Sequence, residues 1–355
     1  MLSNLPNYYL ARKTGGQPPL PFNYTFITTG FCNSRCLTCD IWLRDKPQKD
    51  DLTLSEWIKV FESAGNSVFW ATLSGGEPFY RLDLVDMHDA LVEITQPKIV
   101  NIPTNSLTAR TPDWVWEMCI RHPETNLIIN VSLDHCDPEK NDVIRGVPGN
   151  FEKSMNVFNT LRGFDFPNLN VGIHTVISKF NVDDIPEIAD FFMDLAPDQF
   201  ITEVAEQRVE LATMNHDITP EAEAYEKAIH YVQEKMKRSG HWGGMSRLTR
   251  AFRLTYYNYA VKNLYEQTQA IPCFAGYASC QINYNGEVWP CCVEAVPLGN
   301  VRDRDFAEIW KGGRAKTARE RIRRGECQCP LANASYSNIL MHPKSLAKVA
   351  TRVLV

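Results

Sequence analysis

The segment Phe22-Asn23-Tyr24-Thr25-Phe26-Ile27-Thr28-Thr29-Gly30-Phe31-Cys32-Asn33-Ser34-Arg35-Cys36-Leu37-Thr38-Cys39 decides the fold. Its first half, Phe22 to Thr29, is β-branched and aromatic and is closed by Gly30, which predicts a strand. Its second half places three cysteines, spaced CxxxCxxC, on the loop leaving that strand. Loops at the ends of parallel strands are where α/β barrels place their chemistry. Three thiolates on one tight loop can hold three irons of a four-iron cluster. The fourth iron then keeps an open position, the feature that separates a catalytic metal site from a closed one. Three of four zinc ligands is the competing reading, although zinc motifs usually come as two paired half-sites.

Working outward, apolar β-branched runs recur at Val68–Leu73, Ile99–Thr104, Leu127–Leu133, Val171–Ile177 and Gln199–Val204. Between them lie segments with apolar residues at i, i+3, i+4. These predict helices from Leu54, with Thr53 or Ser55 as cap, and over Leu84–Ile94, Pro112–Ile120, Phe151–Leu161 and Ile185–Met193. With the first strand this makes six βα units, which demand a parallel sheet with helices outside it. A barrel and a doubly wound sheet share this pattern.

The strand ends collect residues that can bind ligands. Gly75-Gly76-Glu77-Pro78 follows the second strand; paired glycines allow close backbone approach, and a carboxylate can accept from an ammonium group. Thr104 and Asn105 follow the third strand, Ser132 and Asp134 the fourth. His174 lies in the fifth, where a hydrogen-bonded core histidine is an equal reading. Glu203, Glu206 and Arg208 follow the sixth and suit either a polar substrate or an ordinary solvated loop.

The cysteine loop followed by Gly-Gly-Glu resembles the radical S-adenosylmethionine (SAM) enzymes. The resemblance selects an open, partial (β/α)6 TIM-type barrel. It implies a four-iron, four-sulfur cluster on Cys32, Cys36 and Cys39 whose open iron binds SAM. It places the SAM amino group at Gly75, Gly76 and Glu77, and the ribose and carboxylate at Thr104, Asn105, Ser132, Asp134 and His174. Thr38 stands where the family often has an aromatic residue. The implied chemistry is reductive cleavage of SAM to a 5′-deoxyadenosyl radical, which takes hydrogen from the substrate. Glu203 and Arg208 are the candidate catalytic residues, with a flavodoxin or ferredoxin as electron donor.

Beyond the barrel, two long helices are expected at Pro220–Arg238 and Ser246–Gln267. Arg247, Arg250 and Arg253 fall along one face of the second, a pattern expected of a solvated basic face. The C-terminal third then holds six cysteines, Cys273, Cys280, Cys291, Cys292, Cys327 and Cys329. Asn285-Gly286 between alternating runs predicts a hairpin flanked by Cys273 and Cys291. This segment resembles the SPASM and twitch extensions of radical SAM enzymes. The resemblance implies an auxiliary [4Fe-4S] cluster on Cys273, Cys291, Cys327 and Cys329, in a twitch-like domain with one cluster. Cys280 or Cys292 can replace one ligand, and zinc suits four thiolates as well. Helices are expected at Phe306–Trp310 and, as one docking element, over Asn338–Val355. The expected divisions are an extension at 1–21, barrel at 22–215, helical insert at 216–270, cluster domain at 271–332 and C-terminal helix at 333–355.

Composition fits a soluble cytoplasmic enzyme. The 355 residues suffice for a large and a small domain, and a net charge of −5 gives no nucleic-acid or membrane signature. Eleven cysteines in a cytoplasmic chain fit metal sites better than disulfides. A substrate-handling module of the kind many peptide maturases carry does not fit in 21 residues. The expected reaction is therefore oxidation or epimerisation of a polar small molecule. The alternatives are a peptide maturase and a non-enzymatic zinc-bound scaffold.

Overall fold

The structure is a computed structural model that describes residues 4–44, 50–238 and 245–354. Six strands lie side by side in chain order, all parallel: β1 (Asn23–Thr29), β2 (Trp70–Gly75), β3 (Ile99–Thr104), β4 (Asn126–Ser132), β5 (Leu169–Ile177) and β6 (Gln199–Val204). The sheet continues past β1 into β7 (Ser279–Ile282), which pairs parallel to β1, and then antiparallel into β8 (Glu287–Trp289) and β9 (Gly299–Asn300). The cysteine-rich segment is thus sewn onto the barrel's first strand. Asn285-Gly286 does form the β7–β8 turn, with Gly286 at φ 87° and its N–H on the Asn283 carbonyl.

The helices are α1 (Leu5–Thr14), α2 (Leu54–Ala64), α3 (Leu84–Thr95), α4 (Thr111–Arg121), α5 (Pro138–Arg145), α6 (Asn150–Arg162), α7 (Ile185–Asp194), α8 (Ala222–Arg238), α9 (Met245–Glu266), α10 (Phe306–Lys311), α11 (Gly313–Arg324), α12 (Ala332–Met341) and α13 (Pro343–Leu354). Local chemistry sets their ends. Thr53 and Glu56 form a reciprocal capping box that starts α2. The C-terminal stretch is two helices rather than one, because Pro343 cannot continue α12 and instead starts α13.

The strands alternate in character, unlike typical fully buried parallel strands. One face carries Val100, Ile102, Leu127, Ile129, Ile173 and Phe200, buried against the helices. Burying each such side chain contributes roughly 1.5–3 kcal/mol. The opposite face, which lines the barrel, carries Thr25, Thr72, Asn101, Asn130, Ser132, His174, Gln199 and Glu203. Three of these amides join across it: Asn130 Nδ2 donates to Asn101 Oδ1 at 2.7 Å, and Gln199 Nε2 to Asn130 Oδ1 at 3.2 Å. The second bond passes over β5 because residue 172 is glycine; a Cβ there would stand 2.4 Å from Asn130 Oδ1.

An open barrel leaves β6 with an unpaired edge, a liability. Helix α9 covers it. Arg253 Nη1 donates to the Phe200 carbonyl at 2.7 Å, and the Thr202 N–H reaches the Tyr257 hydroxyl at 3.4 Å. Arg253 is therefore buried, not part of a solvated basic face, and its Nε also contacts the Tyr336 hydroxyl. Arg250 donates to the Met236 carbonyl. The helical insert closes the side of the sheet, with α8 against α7 and α9 against α12 and α13.

Candidate active site and cysteine-rich domain

The cysteine loop is held from three sides. From β2, the Gly76 N–H donates to the Thr29 carbonyl and the Glu77 N–H to the Phe31 carbonyl. A Cβ on Gly76 would lie 1.8 Å from Phe31 O and 2.8 Å from Cys32 N. The glycines thus admit the chain's own cysteine loop; close approach to a ligand is not the whole reason for them. From β3, Asn105 Nδ2 donates to Asn33 Oδ1 at 2.7 Å and Ser34 Oγ at 2.9 Å, and stands 3.7 Å from Cys32 Sγ.

The third side is α5. Arg35 N donates to the Arg145 carbonyl and Leu37 N to the Ile144 carbonyl. Gly146, which ends the helix at φ 66°, lies so near the loop that a Cβ would meet Arg35 O at 2.0 Å. The Arg145 side chain is buried, pairs with Asp134 at 3.1 Å and lies beside Cys36. Sequence reasoning missed α5, Arg145 and Gly146. The signal was there: Asp137 as N-cap, Pro138 at the first helical position and Gly146 just past the end.

The predicted SAM-contact residues separate into two groups. Glu77 is 1% exposed and accepts from Thr104 Oγ1 at 2.8 Å, Asn105 N at 2.7 Å and Phe79 N at 3.1 Å. Burial pushes its carboxyl up to about 7, against those donors. Asp134 is taken up by Arg145 and by the Val176 N–H. The carboxylates of Glu77 and Asp134 and the Thr104 hydroxyl therefore brace the site from within. Ser132 and His174 instead sit side by side on the barrel's inner face, and His174 Nε2 is buried without a hydrogen-bond partner.

Burial pushes the Cys32 thiol up to about 12 and the Cys39 thiol to about 11, and raises Cys36 against the opposing charge of Arg145. Such thiols ionise only with a positive partner, which an iron cluster supplies. The auxiliary cysteines behave alike. Cys273, Cys291, Cys327 and Cys329 line one cavity and each is raised by burial, with the charge of Cys273 adding to the rise at the other three. Cys291 Sγ accepts from Glu294 N at 3.2 Å. Cys280 borders the cavity but packs into the core on β7. Among the described residues no three cysteine sulfurs lie within 4.8 Å of one another. A tetrahedral zinc needs them about 3.8 Å apart, so this spacing suits a cluster better than one ion.

Arg208 lies on the seam between the two cysteine sites. Its guanidinium is 3.7 Å from Glu206, 3.4 Å from Glu210 and 3.8 Å from Cys292 Sγ, and its charge is felt at Cys39. Burial pushes the Glu206 carboxyl up to about 8, with Arg208 opposing. Glu203 is half-buried on the inner face of β6.

A strand-end loop of three half-buried cysteines, braced by a buried glutamate, together with a second cysteine-lined cavity, defines an iron–sulfur enzyme with a catalytic and an auxiliary site. The sequence pattern of the Radical SAM superfamily matches residues 26–192, and that of an iron-sulfur cluster-binding domain, SPASM, matches residues 273–330. The chain thus carries a radical SAM domain followed by a SPASM domain. The AdoMet-dependent heme synthase of Methanosarcina barkeri (strain Fusaro / DSM 804) is 27% identical over 297 residues, 80% of this chain and 80% of that protein. The sporulation killing factor maturation protein SkfB of Bacillus subtilis (strain 168) is 25% identical over 319 residues, 87% of this chain and 69% of SkfB. The crystal structure of Streptococcus suis SuiB bound to precursor peptide SuiA matches with a TM-score of 0.62 at 17% identity, covering 89% of this chain and 70% of SuiB. That likeness is one of fold. Family and domain together imply a four-iron cluster, SAM and auxiliary iron–sulfur as cofactors.

Proposed function

We propose that this radical SAM enzyme matures a peptide, rather than acting on a free polyol or sugar. The carrying observation is a cavity at the barrel mouth, beside Gly75, lined by Ile27, Arg44, Glu210, Tyr284 and Trp289 among others. Arg44 stacks 5.7 Å over the Tyr284 ring and donates to the Glu210 carbonyl. Mixed aromatic, aliphatic and charged walls suit peptide side chains. The amides of the barrel's inner face offer donors and acceptors in the way a peptide backbone does. The matches to SkfB and to SuiB bound to its precursor peptide support the same reading. The heme synthase relative keeps a tetrapyrrole substrate as the second reading, for which Ile128, Val176 and Ile201, interleaved with the polar residues of the inner wall, would supply apolar contacts.

When bound, the catalytic cluster and SAM supply the hydrogen-abstracting radical. This chain's residues fix where it acts. Cys32, Cys36 and Cys39 would hold the cluster, with Asn105 and Arg145 setting the loop. Ser132 and His174 would face SAM from the inner wall. Cys273, Cys291, Cys327 and Cys329 would hold the auxiliary cluster, and Arg208 ties that domain to the mouth.

The test is to incubate the anaerobically purified enzyme with SAM, a reductant, and either short peptides encoded beside its gene or a panel of polyols and sugars. The expected result is that a peptide stimulates SAM cleavage and changes in mass. Stimulation by a polyol or sugar and by none of the peptides overturns the reading and restores the small-molecule one, for which the polar inner wall is the supporting observation.

A further inference from the structure

On the outer layer, away from both cysteine sites, His88 and Asp89 of α3 meet His122 at the end of α4. One ligating atom from each lies within 4.8 Å of the other two, the one such trio among the described residues. His122 Nε2 is 2.7 Å from Asp89 Oδ1, and His88 Nδ1 is 3.9 Å from the same oxygen. His88 is 1% exposed, and neither of its ring nitrogens has a hydrogen-bond partner. Two orphaned nitrogens in a buried ring are costly, and a native structure needs a reason for them. A hydrophobic side chain of that size would fill the space without the penalty.

We propose that His88, Asp89 and His122 bind a divalent transition-metal ion of the zinc class. Two imidazoles and a carboxylate form a donor set zinc favours, with bonds of about 2.0–2.2 Å to each. Bonds of that length separate neighbouring ligand atoms by about 3.4 Å, between the two distances observed. Asp89 is already oriented for the role. Its Oδ1 faces both rings while its Oδ2 is held by Arg121, the outer hydrogen bond that ligating carboxylates usually have. Entry is from solvent, since Asp89 and His122 remain partly exposed while His88 forms the floor. The ion would join α3 to α4 as a staple.

The experiment uses the full-length enzyme with its cysteine sites filled by iron and sulfide. Cobalt(II) is titrated as a spectroscopic substitute for zinc, and zinc is added separately while thermal stability is followed. The expected result is one equivalent of cobalt with visible d–d bands and no sulfur charge-transfer band, and a rise in Tm with zinc. His122→Gln and Asp89→Asn, both near the surface, should each lose the cobalt bands and the zinc-dependent rise while keeping their iron. The proposal is overturned if wild type binds no cobalt, if the bands carry sulfur charge transfer, or if both variants bind as wild type does.

Discussion

At the scale of single residues, the catalytic loop depends on atoms far from it in sequence. Gly146 terminates a helix more than a hundred positions after Cys32, yet it has no room for a methyl group against Arg35. Gly146→Ala should strain a left-handed backbone as well, costing roughly 1–3 kcal/mol. The cost falls on the cysteine loop, so iron at the catalytic site and SAM cleavage should both drop while the auxiliary iron stays. Normal iron content and cleavage in that variant would show the loop is not held this way. Glu77 gives a pH signature. Burial raises its carboxyl from 4.5 to about 7, so across that window the folded state keeps a proton that the unfolded chain has released. Stability should therefore fall as pH rises from about 4.5 to about 7, by up to about 3 kcal/mol. Comparing wild type with Glu77→Gln isolates it: wild type should be favoured more at pH 5 than at pH 8, and a difference that does not change with pH counts against it. The sequence marked Glu77 and the three cysteines plainly, because those residue types at that spacing have few other uses. It could not show that Gly76 serves the loop as well, since backbone approach between β1 and β2 is a matter of sheet register.

At the scale of elements, what was legible followed local periodicity. Ile99–Thr104 and Gln199–Val204 coincide with β3 and β6, and the barrel helices are within about two residues. The short α5 was missed because eight residues give too few turns for an apolar stripe, though its caps announced it. The parallel pairing of β7 with β1 was not legible either, because β7 has only four residues and its partner lies some 250 positions earlier. The arginines of α9 were misread for a related reason: helical spacing shows that they share a face but not what that face covers. Their role as an edge cap is testable. Arg253→Ala should strand the buried Phe200 carbonyl at a cost of about 1–3 kcal/mol. Hydrogen exchange should then quicken along β6, with iron content unchanged. If β6 stays as protected as in wild type, α9 is not what seals the edge.

At the scale of the molecule, one continuous sheet carries both cysteine sites. The catalytic cysteines leave the end of β1, and β1 pairs directly with β7, whose hairpin partner leads into Cys291. Two sites on one sheet need not depend on each other, because the β1–β7 ladder and the core beneath it do not involve the cysteine loop. Changing Cys32, Cys36 and Cys39 together to Ala should therefore abolish SAM cleavage yet leave the auxiliary site loaded. All six cysteines of the C-terminal third border the shared cavity, but Cys280 also packs in the core on β7 and Cys292 also lies against Arg208, which leaves Cys273, Cys291, Cys327 and Cys329 as the four assigned ligands. Four thiolates match a single cube, so the triple variant should keep about four irons per chain. About eight would mean that Cys280 or Cys292, with ligands from elsewhere, completes a second auxiliary cluster. Zinc in place of iron would require the sulfurs to close up from their present spacing. Retained SAM cleavage would remove Cys32, Cys36 and Cys39 from the role that the whole arrangement of the barrel mouth assigns to them.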